Sequence, residues 1–333
     1  MKFSGKNLSF AILLCASVEI SAIAGENFHL PTPNLLIQLE STYLQETEVD
    51  LHNGGFGMVR EHGTRYHGGI DISSVFRFSN GEPMDPIFAM MDGKVVHVNQ
   101  DESHSNYGKY IVIEHGSLSV PVFTLYAHLN HIENFLKLGD EVMAGRIIGT
   151  MGRSSNSVQI SPQNAHLHLE IGVRLGSGLT FQKWYNGKNF DGENFHGKWN
   201  GLNFVTIDPL PLLRRSMDVD LAEYIKNLPT AFVTRIYEKN FPDFLRTYPS
   251  LCESLTNERD GNGFDIEWTW NGFPKYWTVH RMESDQKDQP ELLFVNSAQL
   301  KNCQKRGLLF LEEDGKICLG ERFWETMEKI FGK

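Results

Sequence analysis

The sequence predicts a mainly β chain, with a compact antiparallel β domain first and a smaller α+β domain after it. Three observations carry this expectation. Between residues 52 and 175 the apolar residues fall in short runs rich in β-branched and aromatic side chains: Val95 to Val98, Tyr110 to Ile113, Val122 to Tyr126 and His166 to Val173. Such side chains pack well on a pleated surface. The same stretch has many glycines and no long segment of helical period, which favours strands joined by tight turns. Asp92-Gly93 separates two of the runs and is a hairpin signal.

In chain order, residues 1–24 read as a secretion signal. Lys2 and Lys6 supply the positive start, Leu8 to Val18 the apolar core, and Ala22-Ile23-Ala24 a small-x-small cleavage site. That core is shorter than the ~20 apolar residues that span a bilayer, and Leu14 before Cys15 is too large for a lipidation site. No other segment is apolar enough to cross a membrane, so the expectation is an exported protein of the periplasm, cell envelope or exterior, without a membrane span once the signal is cleaved. Residues 25–51, with Pro31 and Pro33, form an extended lead-in. Residues 52–215 hold the β domain. Within it, Gly176 to Asn203 reads as a loop whose aromatics, among them Phe181, Trp184 and Trp199, either grip substrate beside a cleft or, the commoner case, pin the loop to the domain. Gly192 to Lys198 is a near phosphate loop, but Trp199 stands where Ser or Thr is needed and no strand–turn–helix surrounds it. Asp208-Pro209-Leu210-Pro211 marks the exit. Residues 216–333 form the α+β domain. Leu221 to Leu228 and Phe232 to Tyr248 read as helical, Asn271-Gly272 and Asp314-Gly315 as hairpin turns, and Phe323, Met327, Ile330 and Phe331 as one face of a terminal helix.

The formal net charge is −10, and losing Lys2, Lys6 and Glu19 with the signal takes it to about −11. This excludes bulk attraction to nucleic acid and to an anionic wall or lipid surface; recognition must come from a shaped groove. Cys252, Cys303 and Cys318 all lie in the last third. An oxidising compartment would permit one disulfide among them and leave one thiol over.

The chemistry concentrates in two segments about a hundred residues apart, His67-Gly68-Gly69-Ile70-Asp71 and His166-Leu167-His168. In a strand, residues i and i+2 share a face, so His166 and His168 project together. Gly68-Gly69 argues against a helix between His67 and Asp71 and for a loop or strand edge. Two imidazoles and a carboxylate are a familiar zinc ligand set, and three protein ligands leave a position for water, as at catalytic zinc. The other histidines, His115 among them, are read as hydrogen-bonded structural residues. Arg60 and Arg65 are candidates for contact with a substrate carboxylate, against the commoner case of a solvated arginine.

With these motifs the chain resembles the lysostaphin/LytM-type zinc metallopeptidases of family M23, which cut peptide cross-links in bacterial cell walls. Tyr126-Ala127-His128-Leu129 matches the family's Y-x-H-L segment. Phe56-Gly57 with Arg60, Asp85 to Ala89, Asp92 to Val96, Tyr107 to Gly116 and the Lys137 to Gly152 glycine pattern match its remaining signature in order. The resemblance implies an antiparallel sheet crossed by a groove, with His67, Asp71 and His168 holding one zinc ion per chain. It implies His128 and His166 as the acid/base and oxyanion-stabilising pair, and a peptidoglycan stem or bridge peptide as substrate. Gly68 stands where many members have Pro, and the Ser154 to Gln163 loop is long, which bears on the groove wall. The competing readings are a non-catalytic regulator of other wall hydrolases, a zinc peptidase acting on proteins, and a C-terminal domain that binds a protein partner or covers the groove.

Overall fold

The computed structural model describes residues 29–33, 44, 53–157, 159–188, 190, 192–214, 220–253, 261–281 and 289–332. The expected signal at 1–24 and most of the lead-in lie outside them. Eleven strands precede the C-terminal part. They are β1 (Gly57–Arg60), β2 (Arg65–His67), β3 (Ile70–Ser73), β4 (Pro86–Phe88), β5 (Gly93–Asn99), β6 (Lys109–His115), β7 (Val122–Ile132), β8 (Glu141–Val142), β9 (Ile147–Met151), β10 (His166–Arg174) and β11 (Phe204–Ile207). β1 and β2 form a small ribbon, and the other nine make one sheet in the order β11-β10-β7-β6-β5-β8, with β3 on β10 and β9 joined to β4 and β7. Every pairing in it is antiparallel, so the expected mainly β, antiparallel fold is what forms.

The expected loop at Gly176 to Asn203 instead contains a helix, α1 (Gly178–Gly187). Ser177 caps it by accepting from the Thr180 N–H, satisfying an otherwise free donor of the first turn. Phe181 and Trp184, three apart, are buried on one face, and Trp184 Nε1 donates to Glu328 at 3.0 Å. These aromatics do pin the segment down, as does buried Trp199.

Two short helices follow, α2 (Pro209–Arg214) and α3 (Leu221–Lys226). The next stretch departs from the expected long helix: Phe232–Tyr237 is strand β12, and only Asp243–Thr247 is helical (α4). Phe232, Thr234 and Ile236 are buried in alternation with less buried neighbours, and this period of two, with Val233 and Ile236 β-branched, prevails over the apolar spacing. β12 joins β13 (Gly263–Trp268), β14 (Pro274–His280) and β15 (Glu291–Val295) in a four-stranded sheet ordered β14-β13-β12-β15. Helix α5 (Ser297–Lys305), the hairpin β16 (Leu309–Leu311) and β17 (Ile317–Leu319), and helix α6 (Glu321–Phe331) complete the chain. The hairpin turns expected at Asn271-Gly272 and Asp314-Gly315 are present, with Gly272 and Gly315 at φ 92 and 87, and α6 buries Phe323, Met327 and Ile330; Asp92-Gly93 closes no hairpin, because β4 pairs with β9 while β5 pairs with β6 and β8.

One apolar cluster runs through both sheets, from Ile70, Leu167 and Leu169 to Phe232, Trp268 and Phe323. The interface adds polar ties: Asn271 Nδ2 donates to the Tyr66 hydroxyl at 3.1 Å and to the Thr206 carbonyl at 2.9 Å, and Lys305 Nζ to the Gly63 carbonyl at 2.7 Å. Cys252, Cys303 and Cys318 are free thiols, the first two buried. Among the described residues no helix is long and apolar enough to cross a membrane.

Candidate metal centre

Strand register assembles the centre. β3 runs antiparallel to β10 with Asp71 opposite His168 and Ser73 opposite His166. Directly opposed residues share a face with Cβ atoms ~5 Å apart, so Asp71 and His168 meet by pairing alone. His67 ends β2, and Gly68-Gly69 carries the chain from there into β3. Gly69 has no alternative: a Cβ there would lie 2.2 Å from the Leu169 carbonyl oxygen of β10. One ligand atom each from His67, Asp71 and His168 then fall within 4.8 Å of one another, and all three residues are buried.

The second nitrogen of each imidazole settles what the first can do. His67 Nδ1 is 2.6 Å from the Gly55 carbonyl, an acceptor, so Nδ1 carries the proton and Nε2 presents a lone pair. His168 Nε2 lies 3.0 Å from Glu170 Oε1, so Nε2 donates there and Nδ1 is turned inward. Inward-facing His168 Nδ1 is 2.9 Å from Asp71 Oδ1 and 2.9 Å from His67 Nε2. Two ring nitrogens, lone-pair donors once deprotonated, and a carboxylate thus converge on one point, a donor set suited to a metal cation. Outer partners that fix tautomer and ring orientation are the usual support of metal-ligating histidines. The residues fit a zinc ion.

Charge distribution agrees. Burial alone would raise Asp71, but the fields of His166 and His67 and hydrogen bonds from His168 and His67 hold it well below the usual carboxylate range. Burial pushes against charge on His168 too, yet hydrogen bonds to Asp71 and Glu170 carry it up to about 9. Burial lowers His67. Positive charge is thus drawn to the Asp71 carboxylate, from His168 and from the Arg60 guanidinium.

His128 and His166 stand beside the three. Their rings are 5.0 Å apart, His128 lies 5.9 Å from the His168 ring, and His166 Nε2 is 3.4 Å from Asp71 Oδ2. His128 Nδ1 donates to the Ser154 carbonyl at 2.8 Å and His166 Nδ1 to the Asn164 carbonyl at 2.7 Å, leaving both Nε2 atoms for chemistry. Burial, then His166 and His168, pushes His128 down to about 3, so it stays neutral. His128 also has φ 59, a left-handed backbone rare outside glycine and frequent at functional positions. All five sequence-predicted residues are thus brought together.

Three further residues belong to the site. Arg60, a candidate for substrate contact, instead sets its guanidinium on the Asp71 carboxylate and 3.0 Å from His67 Nε2, while Arg65 is exposed and pairs with Glu61 at 2.9 Å. Glu170 was not singled out by the sequence, and Tyr107 only as part of a strand motif, with no role at the centre. Tyr107 donates to Glu170 Oε1 at 2.8 Å, and Glu170 in turn orients His168. The period of two that pairs His166 with His168 extends to Glu170 and could have revealed it; the motif around Tyr107 marks a strand and a turn but not its contact with Glu170. The Ser154 to Gln163 loop helps line a hollow of about 880 Å³ beside His128, with Phe78, Lys109 and Arg153.

Residues 65–189 match the family model Peptidase family M23. Among solved structures, the chain is similar to a catalytic-domain mutant of the prophage-encoded M23 protein EnpA from Enterococcus faecalis (27% identity over 32% of this chain and 68% of that one, TM-score 0.25). It is similar to a zinc-containing peptidase from Vibrio cholerae (27% identity, 44% of this chain and 37% of that one, TM-score 0.30). A third is the catalytic domain of the antimicrobial peptidase lysostaphin from Staphylococcus simulans (22% identity, 49% of this chain and 88% of that one, TM-score 0.27). The chain spans little more than a third of the Vibrio protein's length. No curated protein sequence matches. Over residues 65–189, a little over a third of the chain, the sequence is thus similar to peptidase family M23.

Proposed function

We propose that this protein is an exported zinc-dependent endopeptidase that hydrolyses stem peptides or peptide cross-links of bacterial peptidoglycan. The carrying observation is the convergence of two oriented imidazoles and a carboxylate beside two further histidines whose Nδ1 atoms are held by backbone carbonyls. In this reading residues 1–24 direct export, 52–215 form the peptidase unit and 216–333 an accessory unit.

His67 Nε2, the Asp71 carboxylate and His168 Nδ1 would hold the metal. Bound there, zinc supplies the Lewis acidity that acidifies water toward ~7 and polarises a carbonyl. Gly55, through its carbonyl, and Glu170 lock the ligand rings; Tyr107 holds Glu170. His128, neutral, offers Nε2 as a proton acceptor, and His166 offers a second Nε2 on the same side. Between them they take a proton from the attacking water and return one to the leaving amine, steps for which imidazole is suited near neutral pH. Arg60 balances the Asp71 charge.

The test is digestion of purified wall by the full chain, with and without chelator, followed by mass spectrometry of released fragments. New peptide ends are expected, lost with chelator and in His168→Ala, and reduced ~10²–10⁴-fold in His166→Ala or His128→Ala. Ends that form only when another hydrolase is present would sink this reading in favour of a non-catalytic regulator.

A further inference from the structure

A cavity of about 640 Å³ lies between the large sheet and the C-terminal part. Gly68, Tyr107 and Glu170 line one side of it, so it begins at the carboxylate that orients His168. The opposite side holds Arg306, just past α5, and Arg322 and Lys329 of α6. Lys329 is only 5% exposed. Its Nζ lies 4.0 Å from the centre of the Trp184 ring and has no ion-pair or hydrogen-bond partner among the described residues. Arg306 lies 3.8 Å over the Tyr66 ring, and its buried Nε has no hydrogen-bond partner. Arg322, at the exposed rim, is likewise unpaired among the described residues. Of the two carboxylates lining the cavity, Glu170 already accepts from His168 and Tyr107, which leaves Glu325 to face these three cations; Arg65 and Lys305, also on the wall, are taken up by Glu61 and the Gly63 carbonyl.

Such a cluster is costly. A buried cation without an anionic partner loses hydration that a ring face only partly replaces, and this one sits in a chain of net charge −10. We propose that the cavity binds a carboxylate of the substrate peptide, held by Arg306 and Lys329, with the adjoining peptide passing Glu170 toward the His67–Asp71–His168 centre. The inference rests on the peptidase reading and gives the C-terminal part a role in selecting carboxylate-bearing peptides. Burial pushes Lys329 down to about 8 against the pull of Glu325, with Arg322 and Lys188 adding to the push. Burial, opposed by Tyr66 and aided by Arg322, takes Arg306 down to about 10. A carboxylate seated among them would relieve both, and the planar guanidinium suits it bidentately.

The test is calorimetric titration of the full chain, as zinc-loaded protein and as His168→Ala, so that a carboxylate held by the metal is told apart from one held in the cavity. The probes are N-acetyl-D-alanyl-D-alanine, its C-terminal amide and inorganic phosphate. Both proteins should bind the acid roughly tenfold more tightly than the amide, a difference of ~1.4 kcal/mol. Arg306→Gln and Lys329→Met should bring the two within about twofold. Arg322→Gln, exposed and safe for folding, should weaken the preference, and Arg306→Lys should restore part of it. Equal binding of acid and amide, a preference that survives both substitutions, or phosphate binding as tightly as the acid would overturn the proposal. Wall digestion by the same variants separates the two readings: no cleavage by unaltered protein removes the peptidase, whereas cleavage without acid preference removes only the cavity's role.

Discussion

At the scale of single residues, the site depends on groups that touch no reacting atom. Glu170 fixes the tautomer of His168 from 3.0 Å away. Glu170→Gln keeps shape but removes the charge, and supporting changes of this kind cost ~10–100-fold in metal affinity; competition against a chelating dye should show a loss in that range with the circular dichroism spectrum unchanged. His115 serves stability instead. It donates from Nδ1 to the Asp92 carbonyl at 2.9 Å, and its Nε2 is 2.8 Å from Thr124 Oγ1. Burial, against weaker pulls from Asp92, pushes it down to about 4. The unfolded chain takes up this proton near pH 6.5 and the folded one only near 4, so the stabilisation is full above ~6.5 and is lost as pH falls toward 4, about 3 kcal/mol in all. Urea midpoints between pH 7 and 4 should fall less steeply in His115→Gln; an unchanged slope would contradict this account. The five site residues were legible because their types and spacing are chemical signals. Tyr107 was not, because only folding carries it to Glu170.

At the scale of elements, register does the assembling. The pairing of β3 with β10 sets Asp71 against His168, and a slip by one residue would turn every side chain to the other face. Gly69 makes the close approach possible. Gly69→Ala would press a methyl into the Leu169 carbonyl and should destabilise by ~3 kcal/mol or more through strain at that strand pair, read as a lowered thermal midpoint with a weakened metal site. In β7 the pairing with β6 shifts between Tyr126 and Leu129, around His128, and the pairing with β9 shifts just beyond it, between Leu129 and His131. The irregularity, with φ 59, aims the imidazole at the centre where a regular strand would not. Elements with a strong period and local turn chemistry, such as β10, α6 and the Asn271-Gly272 hairpin, could be read directly. Residues Phe232–Tyr237 could not, because apolar spacing fitted a helix and partners supplied by β13 and β15 made it a strand.

For the whole molecule, metal binding and folding should be linked. The donor set exists only in the folded chain, so an ion bound to it stabilises the native state, by ~2.7 kcal/mol at a free concentration 100 times the Kd. Zinc should therefore raise the thermal midpoint by on the order of 5 °C, and His168→Ala should abolish the rise; an equal rise in that variant would place the ion elsewhere. The C-terminal part is fastened beside the site by Asn271 on Tyr66 and Thr206 and by Lys305 on Gly63, with Arg306 over the ring next to His67. By itself the sequence determined the β class, the ligand types and their grouping on shared strand faces, because these follow from residue chemistry and a period of two. Tertiary structure alone decided that Tyr107 and Arg60 support the ligands, and that Arg306 and Lys329 share a cavity with Tyr107 and Glu170. Those contacts join residues up to two hundred positions and more apart, which no local pattern records.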